Sequence, residues 1–321
     1  MEKKTKDKTK DFALLRLRST GAIITDGYQL YLDNFRKTFR ATWLVAAVYA
    51  LTLGVCSTFY LSMLADVTIL ANVHASMSDI MSTFFSYSLV VVGGSLIIYL
   101  LSLLLFGSGF SLLKVHSQQD SMPTAIRWFG FAEKKTVVRT LTAGLLLLLY
   151  MLLSGAVIGG VMYLLKDYLS ATALGLLLLL LQFIAVIFLP LLLLLGTQYI
   201  MGATQKGRQP LRHWGSAIVI SLVVCIVIGL LSVVTELPAV VLLFANVSSM
   251  SGMLMGDPSG MPDYMSWLNV VVFSLAGFIQ AYIYLSSIFP FYYLYGSVEV
   301  QEKERAEMNK ENDIPQIKQK S

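Results

Sequence analysis

The stretch "LGLLLLLLQFIAVIFLPLLLLLG", residues 174–196, runs 23 positions without a charged side chain. It is too long for a strand, and it is the length that a helix needs to cross a bilayer. An uncharged backbone segment of that length in lipid must satisfy its own hydrogen bonds, and only helices and closed barrels do so. Five more runs of the same kind accompany it. The sequence predicts helices over 42–65, 84–112, 137–165, 171–201, 214–235 and 267–296. The expected fold class is all-α: an integral membrane bundle of six transmembrane helices, preceded by an N-terminal amphipathic helix.

Composition agrees with this reading. Of the 321 residues, 56% are hydrophobic and only 13% charged, whereas a soluble domain is nearer a quarter charged. The charges gather in the loops and tails. Residues 1–41 carry ten Lys or Arg. The 113–139 loop carries Lys114, Arg127, Lys134, Lys135 and Arg139, and the 202–213 loop carries Lys206, Arg208 and Arg212. Five more lie beyond residue 297, and the opposite side holds only Lys166. This bias places both termini in the cytoplasm. The formal charge of +5 belongs to those loops. It implies contact with anionic lipid headgroups at the cytoplasmic face and not with nucleic acid. No cleavable signal peptide is expected, because "MEKKTKDKTKD" is polar and no apolar run begins before Ala41.

Four parts are expected along the chain. Residues 1–12 form a disordered basic tail, 13–41 a cytoplasmic amphipathic lead-in, 42–297 the six-span domain and 298–321 a charged cytoplasmic tail. In the lead-in, Tyr28, Tyr31, Leu32, Phe35 and Phe39 recur at helical spacing, which suits a helix lying on the inner leaflet. Beyond Gln301 the tail is expected to lose order after a turn or two.

Three short stretches recur: "YLLSLLLFGS" (99–108), "FLPLLLLLGT" (188–197) and "IFPFYYLYGS" (288–297). Each ends in Gly followed by Ser or Thr. Pro190 and Pro290 stand six residues before the glycine in the second and third copies, where the first has Leu101. The odd-numbered spans begin after Arg40, Arg139 and Arg212 and end at Asp66, Asp167 and Glu236. The pattern predicts three repeated helical hairpins, an arrangement common in transporter folds, with the two prolines as helix kinks.

The candidate site residues are few. Glu236 precedes Pro238 by two positions within an otherwise apolar run. Twenty residues of helix from Ser216 climb about 30 Å, so Glu236 is expected at the outer headgroups. Pro238 then opens a new element, and 239–247, too short to span, lies at the interface or re-enters briefly. Asp66, Asp167 and Glu236 are either acids that end spans in water or a cation-attracting outer vestibule. Gln182 and Gln280 are polar groups within spans. They either contact a ligand or bond a neighbouring helix. Met250, Met253, Met255, Met261 and Met265, with Met77 and Met81, offer soft donors for Cu(I) or flexible apolar filler.

No metal site and no cofactor is expected. Cys56 and Cys225 lie within spans and read as packing residues, and His74, His116 and His213 are scattered. No Walker loop, G-x-S-x-G, H-E-x-x-H or C-x-x-C occurs. "NVS" at Asn246 has the form of a glycosylation site.

The segment "RSTGAIITDGYQLYLDNFRKTFRATW" (18–43), followed by repeated hairpins, resembles a group of uncharacterised bacterial integral membrane proteins. More distantly, it is similar to the membrane region fused to some glycerophosphodiester phosphodiesterases. The resemblance implies a helical membrane fold and carries no catalytic residues onto this chain. The barrel of those enzymes needs about 250 residues, and no soluble insert here approaches that. The expected function is non-enzymatic: transporter-like, or a role in handling lipid or the envelope, with the bilayer as partner and an unidentified small-molecule or lipid ligand. The competing expectation is a lipid-modifying enzyme using an outer carboxylate such as Glu236 or Asp167.

Overall fold

The computed structural model describes residues 14–72, 76–119, 134–202, 212–255, 262 and 264–313. It is all-helical, and no strand occurs among the described residues. The order is α1 (Thr20–Asp33), α2 (Phe35–Asn72), α3 (Met77–Gln119), α4 (Lys134–Leu165), α5 (Ala171–Met201), α6 (Trp214–Leu254), α7 (Met265–Ser286) and α8 (Ile288–Asp313). Six helices are long and apolar enough to cross a membrane, the sixth being α7 run on through α8.

Local chemistry sets several of the ends. Ser19 caps α1 by accepting from the Ala22 N–H at 3.3 Å, and Ser170 does the same for α5 through Ala173. Asn34 separates α1 from α2, and its side-chain amide donates to the Leu30 carbonyl at 3.1 Å. Gly202 closes α5 at φ 80°, a left-handed conformation that glycine takes without a Cβ penalty.

Three expectations are corrected. First, α6 does not stop at Glu236. It continues through Pro238 to Leu254, 41 residues or about 60 Å of helix. Pro238 costs one backbone bond, and the helix resumes beyond it because a single proline removes only that bond. Glu236 and Asp66 therefore lie within helices, while Asp167 sits in the turn after α4.

Second, the lead-in is two helices and not one, with Asn34 between them. Ile23, Gly27, Leu30 and Tyr31 are buried, whereas Leu32 is 69% exposed and Phe35 and Phe39 are partly so. Third, α8 stays helical to Asp313. It inherits its nucleus from the preceding turns and gains Glu299–Lys303 and Glu302–Arg305 pairs along its surface. Residues 1–12 lie outside the described residues.

The chain divides into two compact units. The first comprises residues 1–40, 107–225 and 287–321, and the second residues 41–106 and 226–286. In the first unit α8 packs on α1 and α5, and α4 packs on α5. The core of that unit gathers Leu113, Leu194, Ile220, Phe289, Tyr292, Tyr293, Leu294 and Val298. The hydroxyls that close the three recurring stretches, on Ser108, Thr197 and Ser297, all belong to buried residues of this unit. In the second unit Ala46, Ala50, Leu103, Leu105, Ala281 and Leu285 form the core.

Candidate functional site

Two polar constellations stand out, one in each unit. In the second unit, α6 and α7 share an amide-bearing seam. Gln280 donates to the Ser232 hydroxyl at 2.6 Å, and the Thr235 hydroxyl donates to the Gln280 carbonyl oxygen at 3.5 Å. Eleven residues earlier on α7, Asn269 and Asn246 exchange reciprocal bonds of 2.9 and 3.1 Å. Asn246 also donates to the Leu242 carbonyl at 2.7 Å. Buried Ala239 and Leu242 occupy α6 between the two polar contacts. Positions 232, 235, 239, 242 and 246 follow alternating steps of three and four, the spacing of a coiled-coil seam.

These amides are neutral and their bonds are mutual. They bind helix to helix for about 1 kcal/mol per bond, and they carry no charge to move. Gln280 thus bonds its neighbouring helix. Asn246 is buried in the seam, which removes its side chain from use as a glycosylation acceptor.

The first unit holds a charged cluster. Arg18 is 2% exposed at its side chain, donates to Asp26 at 2.8 Å and lies 4.2 Å over the Tyr293 ring. It also donates to the Leu14 carbonyl at 3.1 Å. A buried guanidinium needs such a set, because an unpaired charge away from water costs several kcal/mol. His116 Nδ1 and the Tyr292 hydroxyl lie 2.9 Å apart. Farther along α8, Glu302 accepts from His213 at 3.0 Å and Arg305 at 3.1 Å, with Arg212 at 3.5 Å. Burial pushes the Tyr28 phenol on α1 up to about 12, and Cys225 adds to the shift, so the group stays neutral across the physiological range.

The remaining sequence candidates are dispersed. Asp66 is exposed and accepts from the Tyr87 hydroxyl at 2.6 Å. Glu236 is half-buried, and Asp167 is exposed. Gln182 is exposed on α5. Pro190 lies inside α5, whereas Pro290 is the third residue of α8, just after the break at Ser287. Its absent N–H falls in a first turn, where no helical acceptor exists.

Met265 is buried, while Met255, Met77 and Met81 are exposed. His74 and Met261 lie outside the described residues. Among the described residues no group of three His, Cys, Asp or Glu side chains could hold a metal ion.

Sequence reasoning passed over Asn269, Arg18 and Glu302. The signal for the first was a second asparagine in an apolar run, 23 residues after Asn246. For Arg18 it was a basic residue just ahead of a helix cap. Glu302 gave no signal apart from the charged tail.

These features define a multi-pass helical membrane protein with polar helix–helix seams. The chain matches no protein-family model, no curated protein and no solved structure.

Proposed function

We propose that this is a non-enzymatic protein of a bacterial cytoplasmic membrane with both termini in the cytoplasm. Its role is transporter-like handling of a lipid or other amphiphile. One observation carries the reading: the side-chain amides of α6 and α7, on Asn246, Asn269 and Gln280, are spent within the seam, while the leucine-rich faces of α4 and α5 remain exposed. The surface so offered is hydrocarbon-like, suited to acyl chains and other helices. The burial of Ser108, Thr197 and Ser297 supports a hairpin design used three times.

Lipid analysis tests this. The full chain is purified from membranes and reconstituted in vesicles of bacterial phospholipid, and retained and vesicle lipids are weighed by mass spectrometry. The expected result is a lipid class that co-purifies and stays chemically unaltered. A lipid product that accumulates and is abolished by Asp66→Asn, Asp167→Asn or Glu236→Gln would replace this reading with the lipid-modifying enzyme.

A further inference from the structure

Gln182 lies eleven residues into α5 from Ala171, about 16 Å along the axis. The helix carries no charged residue, so this depth is near the middle of a hydrocarbon core about 30 Å thick. The side chain is exposed, and among the described residues none hydrogen-bonds it. A primary amide presents two donors and an acceptor. In hydrocarbon no water takes them up, and leaving them unpaired is costly. Gln280, the same residue type, is bonded within the chain. On α4 the Tyr150 hydroxyl is spent on the Ala185 carbonyl at 2.8 Å and the Ser154 hydroxyl on the Met151 carbonyl at 3.0 Å.

The facing helix of the same hairpin shows a second, independent feature. Gly155 and Gly159 are exposed on α4, and a Cβ at either would meet nothing within 4 Å. They stand ten and six residues before Leu165, the end of α4, and so cover a depth of about 9–15 Å. Glycines four apart allow a second helix backbone to approach closely. The polar group in need of a partner and the surface open to close approach thus share one hairpin and one depth.

We propose that the α4–α5 hairpin is a self-association surface on which a second copy of this chain seats, with the two Gln182 amides hydrogen-bonded across a twofold axis. A second copy fits because a twofold contact brings the same residue from both partners, and a carboxamide is its own complement as donor and acceptor. An acyl chain provides neither.

The test counts subunits of the full chain by single-molecule photobleaching in phospholipid vesicles over a series of lipid dilutions. The wild-type chain is expected to dimerise. Gln182→Leu should weaken the dimer at least about tenfold, and Gln182→Asn, which keeps an amide, should retain more of it. Gly159→Leu should weaken it as well, by holding the helices apart. Thermal unfolding of Gln182→Leu should match the wild type, since the substitution is apolar and outward. A wild-type chain that is monomeric at every dilution would show that lipid alone covers the hairpin and would overturn the proposal. So would a Gln182→Leu chain that dimerises as tightly as the wild type.

Discussion

At Gly27 a single hydrogen in place of a methyl group lets α1 dock. A Cβ there would lie 2.8 Å from both the Cα and the nitrogen of Pro290, and backbone atoms cannot swing aside as a flexible side chain can. Gly27→Ala should lower thermal stability by about 1–3 kcal/mol, the usual cost of overpacking. Gly21, on the same helix, has nothing within 4 Å of a Cβ. Gly21→Ala should match or slightly exceed the wild type, by up to ~1 kcal/mol, and thermal unfolding of the pair reads the difference. The Asn246–Asn269 exchange makes a second residue-scale test. Asn246→Ala strands a buried amide, and a double-mutant cycle with Asn269→Ala should return a coupling of about 0.5–2 kcal/mol. Zero coupling would mean that the two amides do not bond.

Among the elements, α8 shows most clearly what a charged tail gains from an anchor. Glu302 gathers His213, Arg212 and Arg305, tying α8 to the residues that lead into α6. Glu302→Gln removes the charge and should speed amide hydrogen exchange across residues 301–309 severalfold, leaving α5 unchanged. The prolines make a contrasting pair. Pro190 interrupts α5 from within, so Pro190→Ala restores a backbone bond and should hold or raise thermal stability. Pro290 sits in a first turn against Gly27, where alanine gains no bond, so Pro290→Ala should not stabilise.

The same elements show what could be read from sequence. The α4 and α5 spans were legible to within three residues because charge and apolar length mark them without competition. The end of α6 was not, because an acid followed by a proline signals a helix end, whereas one proline removes a single backbone bond and the helix runs on through it. The order of the tail depended on Glu302 meeting residues 89 and 90 positions away, and no local pattern records that. At the candidate seam, Gln280 stood out as a polar group in a span. Its partner Ser232 did not, since serine is ordinary in membrane helices.

For the molecule as a whole, the proposed topology crosses the membrane six times with both ends in the cytoplasm. The α6 helix gives that claim a sensitive position, because Ser249 lies near its far end, 35 residues beyond Trp214, about 52 Å along the axis. The direct measurement is labelling of single-cysteine chains, in a background with Cys56 and Cys225 replaced by serine, using a membrane-impermeant maleimide on intact and permeabilised cells. Ser249→Cys should label in intact cells, and Ser321→Cys only after permeabilisation. Labelling of Ser249→Cys only after permeabilisation, or of Ser321→Cys in intact cells, would contradict the topology and the account built on it.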